Sequence, residues 1–383
     1  MKRKTVKSWY LVHKWTSLIS TAFLLLLCVT GLPLIFWEEI AHLTDGQGEL
    51  AQPAPGQQPA NLDKLIAKAL AEHPGDVPLF FGWDDHEPTV YVNTGARPDT
   101  PPPEMNTVVM HAYSGEIIDL PNFNEGVMYF LYRLHTDVFL GIGATLFMGV
   151  MALLFAAAIV SGIVIYGPFM RKLDFGTVRR SGSSRLKWLD MHNMLGAVTL
   201  AWALVVGLTG AINTLAAPLQ AKWQADVMAE FNARYANAPR PARLTSLDAA
   251  VARARAAAPG MTPSFVSFPG TGYSGDHHLG IFMHGATPVT ERLYQPVLVD
   301  AADGRITAQP QLPGYMATLL LSQPLHFGDY GGMPLKIIWA LLDLATIVVL
   351  GSGLYLWVKR SRGSTDARVA EIVEGGRTAG AGA

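Results

Sequence analysis

Four histidines occur in two matching kinds of sequence motif. His13 and His192 each follow a tryptophan by four residues, and a Thr-Gly pair lies 17 and 18 residues further on. His135 and His326 each follow a leucine, and a Ser-Gly pair lies 26 and 27 residues further on. Imidazole is an axial ligand of haem iron. Two histidines that face each other across a helix bundle would therefore bind one haem b, so the four predict two such sites.

Four apolar segments are long enough to cross a lipid bilayer and would carry these histidines. The chain has 383 residues, of which 50% are hydrophobic and 15% are charged, whereas a soluble domain carries about 25% charged residues. A helix that spans the hydrocarbon core needs about 20 residues, most of them apolar. The sequence predicts such spans at Thr16–Trp37, Gly143–Tyr166, Met194–Ala216 and Leu335–Val358.

The charged residues indicate both the class of protein and its orientation. The 29 Lys and Arg nearly balance the 30 Asp and Glu, which excludes a nucleic-acid binder that relies on strong positive charge. Of the 29 basic residues, 16 lie in the N-terminus, the loop 167–193 and the tail, whereas the two long loops hold 12. The positive-inside rule therefore predicts cytoplasmic termini and two periplasmic loops in a bacterial inner membrane.

Eight segments follow from these spans and this orientation. The first span follows several basic residues, as a signal peptide would, but its long apolar run without a cleavage motif predicts a retained anchor. The tail after Arg362 is rich in Gly and Ala and is expected to be disordered. The predicted order is cytoplasmic N-terminus with the first span (1–37), first periplasmic module (38–142), second span (143–166), cytoplasmic loop (167–193), third span (194–216), second periplasmic module (217–334), fourth span (335–358) and cytoplasmic tail (359–383).

The two halves of the chain repeat one pattern, which predicts a duplication. Each long loop holds a helical segment followed by β-prone runs and a Ser-Gly or Asp-Gly turn. The helical segments are Asn61–His73 and Ser246–Ala258, and the β-prone runs are Thr89–Asn93, Val108–Ile118, His278–His284 and Pro296–Ile306. Two spans per half make the repeats parallel. The predicted fold class is membrane α-helical, a four-transmembrane-helix bundle formed by a parallel duplication, with two small α+β periplasmic modules.

The two histidine pairs are predicted at different depths. His13 and His192 lie at the cytoplasmic end of equivalent spans, whereas His135 and His326 lie about 8 to 9 residues outside the other two. A tilted or broken helix, with breaks at glycines such as Gly141, would bring the second pair to the membrane surface. A single histidine at a membrane interface is most often an ordinary polar anchor. The recurrence of two matched pairs favours a role for these histidines as ligands of haem iron.

Other residues with ligand chemistry are less specific. Arg133, two residues before His135, is a candidate partner for a haem propionate. The single cysteine, Cys28, excludes an intramolecular disulfide, a CxxC redox centre and a Cys-rich metal site. A histidine cluster in the second loop is expected to lie in an exposed loop, with contact to a substrate or a metal as the alternative (His277, His278 and His284).

These motifs resemble the PepSY-associated transmembrane family. The Trp-x-x-x-His motifs with their Thr-Gly pairs, and the Leu-His pairs before a Ser-Gly span, carry the resemblance over about residues 5–362. The resemblance implies PepSY-like external modules and an iron context, because the family includes ferric-siderophore reductases of the ferrioxamine-utilisation type that hold haem b. It also implies a ferric siderophore as the substrate, which the spacing of the histidines does not show.

Three functions are open on the sequence alone. The first is a haem-dependent ferric-siderophore reductase that moves electrons across the bilayer. The chain has no dinucleotide-binding fingerprint, so a quinol, a flavin carrier or another protein is its expected electron donor. The second is a non-catalytic membrane protein whose PepSY-like modules bind a peptide or a protease. The third is a transporter, which the few ionisable groups in the spans disfavour. Membrane lipid is a partner in each case and nucleic acid in none.

Overall fold

The computed structural model describes residues 2–44, 50–85, 87–119, 125–170, 176–179, 183–235, 241, 243–287, 290–359 and 365–374. The chain divides into two compact units. The first comprises Met1–Ala41, Phe123–Ala216 and Ser322–Ala383, and the second comprises His42–Asn122 and Ala217–Leu321.

The described helices and strands follow one another in the same order in each half of the chain. The helices are α1 (Arg3–Leu34), α2 (Trp37–Thr44), α3 (Leu62–Glu72), α4 (Gly126–Thr136), α5 (Ile142–Met170), α6 (Ser184–Asn213), α7 (Ala216–Tyr235), α8 (Leu247–Ala257), α9 (Gly314–Phe327), α10 (Gly332–Val358) and α11 (Thr365–Glu374). The strands are β1 (Val77–Trp83), β2 (Thr89–Gly95), β3 (Asn106–His111), β4 (Ile117–Ile118), β5 (Met261–Ser267), β6 (His278–Gly285), β7 (Tyr294–Asp300) and β8 (Ile306–Ala308). The elements from α1 to α5 correspond in order to those from α6 to α10; a duplication as the origin of this order stays a prediction.

Four helices of the first unit, α1, α5, α6 and α10, are long and apolar enough to cross a membrane. Each overlaps a predicted span, so the prediction of a helical membrane protein is confirmed. Two of them begin well before the predicted span, α1 at Arg3 and α6 at Ser184. The residues ahead of each span include Lys, Arg and Leu, which have a high intrinsic helix propensity, so the helix extends beyond the apolar segment. His13 and His192 therefore lie within these helices and not ahead of them.

The other two histidines lie on short helices that are separate from the membrane-spanning ones. The chain between α4 and α5 takes positive φ angles at Val138 (45°), Phe139 (62°) and Gly141 (72°). The chain between α9 and α10 does so at Gly328 (74°), and α10 starts at Gly332 (61°). Glycine adopts this left-handed region without steric cost, whereas Val138 and Phe139 do so at a cost. The expected helix breaks are thus present.

The second unit contains one eight-stranded sheet in the order β4-β3-β2-β1-β5-β6-β7-β8, with every neighbouring pair antiparallel. The sequence predicted two modules, and here the four strands of each half join through β1 and β5 into a single sheet. These two central strands were not predicted, because Pro78 and Pro263 interrupt their patterns. Both prolines lie where the pairing register shifts, a position that tolerates the missing N–H donor.

Helices α3 and α8 pack on the sheet and cap each other. Both helices lie where the sequence predicted them. Asp63 Oδ1 accepts a 2.7 Å hydrogen bond from the backbone N–H of Leu247, at the start of α8. Asp248 Oδ2 accepts one of 3.1 Å from the N–H of Leu62, at the start of α3. A carboxylate at a helix N-terminus satisfies orphan donors and interacts favourably with the helix dipole, so each half stabilises the helix of the other.

Helix α11 lies in the tail, for which the composition predicts disorder, and that prediction is wrong for the residues of α11. Its Val369 side chain is fully buried, and Asp366 Oδ1 lies 2.9 Å from Lys7 Nζ on α1. Helix α11 packs against α1 and α5. A helix of ten residues owes its stability to such packing more than to intrinsic propensity, which composition alone does not reveal.

Candidate functional site

His13 on α1 and His192 on α6 face each other near the N-terminal ends of their helices. Their ring centroids are 6.4 Å apart and the ring planes cross at 74°. Each ring lies against a glycine of a further helix. A Cβ atom placed on Gly162 would lie 3.2 Å from His13 Cε1, and one on Gly353 would lie 3.4 Å from His192 Cε1. The two glycines thus make room for the two rings.

His135 on α4 and His326 on α9 form a second pair of the same kind. Their ring centroids are 6.2 Å apart with an angle of 59° between the planes. A Cβ atom on Gly31 would lie 3.0 Å from His135 Cε1, and one on Gly210 would lie 2.9 Å from His326 Cε1. The glycines belong to the Thr-Gly and Ser-Gly motifs of the sequence. The structure therefore brings together both predicted pairs, and each ring lies on the glycine that belongs to the other kind of motif in the same half of the chain.

Three of the four rings are oriented by the same kind of hydrogen bond, from Nδ1 to a backbone carbonyl oxygen. The Nδ1 atom donates to the carbonyl oxygen that lies four residues before the glycine under the ring. The distances are 2.8 Å from His13 to Ala158, 3.0 Å from His192 to Val349 and 2.9 Å from His326 to Val206. Because a carbonyl oxygen only accepts, the proton of each of these rings is on Nδ1.

His135 obtains the same orientation partly from a hydroxyl group. Its Nδ1 lies 3.0 Å from Thr30 Oγ1, and that hydroxyl donates to the carbonyl of Leu26 at 2.7 Å. The hydroxyl oxygen is thus free to accept from Nδ1. In each of the four histidines the hydrogen bonds involve Nδ1. Within the described part of the chain, no hydrogen bond involves the Nε2 atom of any of these four rings.

The two pairs have the donor atoms that a bis-imidazole iron site would need, and the separations of their rings are compatible with one. A protonated Nδ1 leaves the lone pair of Nε2 for a metal, and such a hydrogen bond is the usual means of orienting a metal-bound histidine. A metal ion bound to both Nε2 atoms by bonds of about 2.0 Å would separate the ring centroids by roughly 6 Å, and the observed separations are 6.4 and 6.2 Å. Among the described residues, no group of three or more His, Cys, Asp or Glu would hold a bare metal ion. Two axial ligands suit haem iron, whose other ligands are porphyrin nitrogens.

A cavity of about 360 Å³ adjoins His13 and His192, and we call it the His13/His192 cavity. Such a volume is typical of sites for small molecules and cofactors. Its walls are largely apolar (Leu18, Phe155, Ile159, Leu200, Leu350 and Leu354). The cations Lys14, Arg185 and Arg368 also line it, and its described lining includes no Asp or Glu. The cavity therefore suits an apolar molecule that also carries negative charge.

Both histidine pairs lie within the part of the chain that matches a known family. A family model described as "PepSY-associated TM region" matches residues 10–360. This chain belongs to the PepSY-associated transmembrane family. A protein of similar sequence is an uncharacterized protein of Pseudomonas aeruginosa, 25% identical over 260 residues. The match covers 62% of this chain and 65% of that protein, so the chain spans just under two thirds of the relative's length.

Arg133 of this PepSY-associated chain is engaged with its own helix. Its Nε lies 3.0 Å from Asp137 Oδ1 and its Nη2 lies 2.9 Å from Asp137 Oδ2. Its Nη1 also donates to the Tyr129 hydroxyl at 3.2 Å. Two parallel bonds to one carboxylate are the strong geometry for arginine. The predicted contact of Arg133 with a haem propionate stays a prediction.

The histidine cluster of the second loop is buried, so the expectation of an exposed loop is wrong. His277, His278 and His284 are 8%, 1% and 4% exposed. His278 and His284 lie on β6, and Tyr235 of α7 packs on His277 and His278 at ring distances of 5.4 and 4.6 Å. Burial lowers the pKa of His278. The sequence pattern does not predict α7, so it gives no sign that Tyr235 covers these rings.

Proposed function

We propose that this chain is an inner-membrane haem b protein, a haem-dependent ferric-siderophore reductase that moves electrons across the bilayer and releases iron in the periplasm. The observation that supports this most is the presence of two imidazole pairs at opposite ends of one set of apolar helices. Gly31, which lies under His135, is 18 residues after His13 on α1, and a rise of 1.5 Å per residue makes this roughly 27 Å. That is close to the thickness of the hydrocarbon core.

Each pair would hold one haem through its two Nε2 atoms, and the bound haem would supply one-electron redox chemistry. The residues of the chain would bind the haem and orient its ligands. The carbonyls of Ala158, Val349 and Val206 keep the Nδ1 protons in place and the rings in one orientation. The apolar walls of the His13/His192 cavity would lower the polarity around a bound redox group, which changes its potential.

The proposed orientation assigns a side of the membrane to each pair. With both termini in the cytoplasm, His13 and His192 lie on the cytoplasmic side, where a quinol or another electron donor would approach. His135 and His326 then lie on the periplasmic side, where the ferric siderophore would bind. Oxygen chelators hold ferrous iron less tightly than ferric iron, so reduction would release the metal from the siderophore.

An optical spectrum of the purified full-length protein tests this function. We expect a Soret band that shifts when dithionite is added, about two haems per chain as two bis-histidine sites require, and reoxidation of the reduced protein by a ferric hydroxamate siderophore. Protein that lacks a Soret band after expression with an ample supply of haem would contradict the proposal. That outcome would favour the non-catalytic alternative, in which the sheet unit binds a peptide or a protease.

A substitution of Gly210, the glycine under His326, tests the site while all four histidines are retained. Gly210→Ala would place a methyl group 2.9 Å from His326 Cε1, so the ring has to move. Overpacking of this kind costs about 1–3 kcal/mol, and we expect the haem affinity of the His135/His326 pair to fall about tenfold. Haem titration of the apoprotein measures it. Gly351→Ala is the control, because nothing lies within 4 Å of the added Cβ; equal affinities in the two variants would refute the close approach.

A further inference from the structure

Helix α11 brings three features together beside the His13/His192 cavity. Its Val369 is fully buried, and the helix packs against α1 and α5. Its Arg368 and Ile372 line the cavity. Val369 and Arg368 are neighbours in sequence and Ile372 lies one turn further on, so one side of a short helix supplies both the contact with the bundle and part of the cavity wall.

A salt bridge and a hydrogen bond join the start of α11 to the N-terminal part of α1. Asp366 Oδ1 lies 2.9 Å from Lys7 Nζ, and the backbone carbonyl of Asp366 accepts a 3.2 Å hydrogen bond from Arg3 Nη2. Both Lys7 and Arg3 precede His13 on the same helix. The end of the cavity near which α1 begins is thus the end that α11 covers.

The charged side chains in the described lining of the cavity are of one sign. Lys14, Arg185 and Arg368 line it, from α1, α6 and α11, and its described lining includes no carboxylate. Most of the remaining wall is apolar. A molecule that places an apolar body between His13 and His192 would therefore direct its acidic groups toward these cations.

We propose that α11 closes one end of the His13/His192 cavity and that Arg368, with Lys14 and Arg185, binds the carboxylates of the haem held there. This rests on the proposed function, because the ligand is the haem of that function. It adds a residue of the C-terminal tail to the binding site. It also makes the dissociation of this haem depend on a helix outside the four membrane-spanning ones.

Haem loss measures the contribution of Arg368. The full-length chain carrying His326→Ala is used so that only the His13/His192 site holds haem, and transfer to excess apomyoglobin is followed optically. We expect Arg368→Ala to speed haem loss about tenfold, as for the loss of one charge-assisted hydrogen bond, and Arg368→Lys to have a smaller effect. Lys359→Ala is the control, because that cation is exposed at the end of α10. Equal rates for Arg368→Ala and Lys359→Ala would overturn the carboxylate contact.

Thiol labelling tests the closed position of α11 without any haem. In a Cys28→Ala background, Val369→Cys and Val373→Cys compare two valines one turn apart, fully buried and 38% exposed. We expect a polar maleimide to label Val373→Cys at least tenfold faster. Equal rates would show that α11 does not lie on the bundle and would overturn the proposal. Because this measurement needs no haem, its failure is distinct from the failure of the proposed function, which the spectrum of the unmutated protein reports.

Discussion

His192→Ala is expected to lower the haem content from about two to about one per chain, because a bis-histidine site loses one of its two axial ligands. The haem that stays should keep the spectrum of a six-coordinate, bis-imidazole site, since His135 and His326 are untouched. Their rings lie 6.2 Å apart and rest on Gly31 and Gly210. The measurement is a pyridine haemochrome assay together with the reduced optical spectrum.

The reciprocal variant makes the prediction specific for paired ligands. His326→Ala should also leave about one haem per chain, and the variant with both substitutions should hold none. In vesicles with reductant on one side and a ferric siderophore on the other, each single variant should lose at least 90% of the reduction, because the two sites act in series. His73→Ala is the control, because His73 ends α3 in the sheet unit and belongs to neither pair. A full haem content in both single variants would refute the assignment of these ligands.

Much of the site could be predicted from the sequence because its residues recur at fixed spacings. The pairing of His13 with His192 and of His135 with His326 needed only two matching motifs and the assumption that matching residues lie at one depth. The purpose of the Thr-Gly and Ser-Gly pairs could not be derived in this way. A glycine under an imidazole and a carbonyl one turn earlier have no signature in hydropathy, since both depend on how closely two helices approach.

The parts of the fold that escaped prediction share a physical cause. Strands β1 and β5 contain Pro78 and Pro263, which are unfavourable in a regular strand and are tolerated here at register shifts. Helix α11 is too short to be stable without its packing partners. In both cases the neighbouring element decides the structure, so Arg368 could not be placed in the cavity until the position of the tail was known.

Arg179→Ala is expected to destabilise the membrane-helix unit by about 3 kcal/mol or more, because it leaves a buried carboxylate without its cation. The side chain of Asp190 is 1% exposed. Arg179 binds it with Nη2 at 2.6 Å from Oδ1 and with Nε at 2.9 Å from Oδ2. Asp190 lies two residues before His192 on α6, so the Arg179–Asp190 pair also holds the segment that carries this proposed haem ligand. A fall in the midpoint of thermal unfolding of the purified protein measures the effect.

A second substitution, Asp190→Asn, distinguishes two causes of the expected destabilisation: an uncompensated negative charge on Asp190, and the loss of packing around the Arg179 side chain. Asp190→Asn removes the charge that Arg179→Ala leaves behind, so the double variant should be more stable than Arg179→Ala alone. Arg97→Ala is the control, because Arg97 binds Asp99 at the surface, with the two side chains 66% and 73% exposed, and such pairs contribute about 0–1 kcal/mol. If Arg179→Ala and Arg97→Ala shifted the midpoint equally, the buried pair would not stabilise the start of α6. If Asp190→Asn gave no recovery, the cost would lie in the packing of the guanidinium and not in the uncompensated charge.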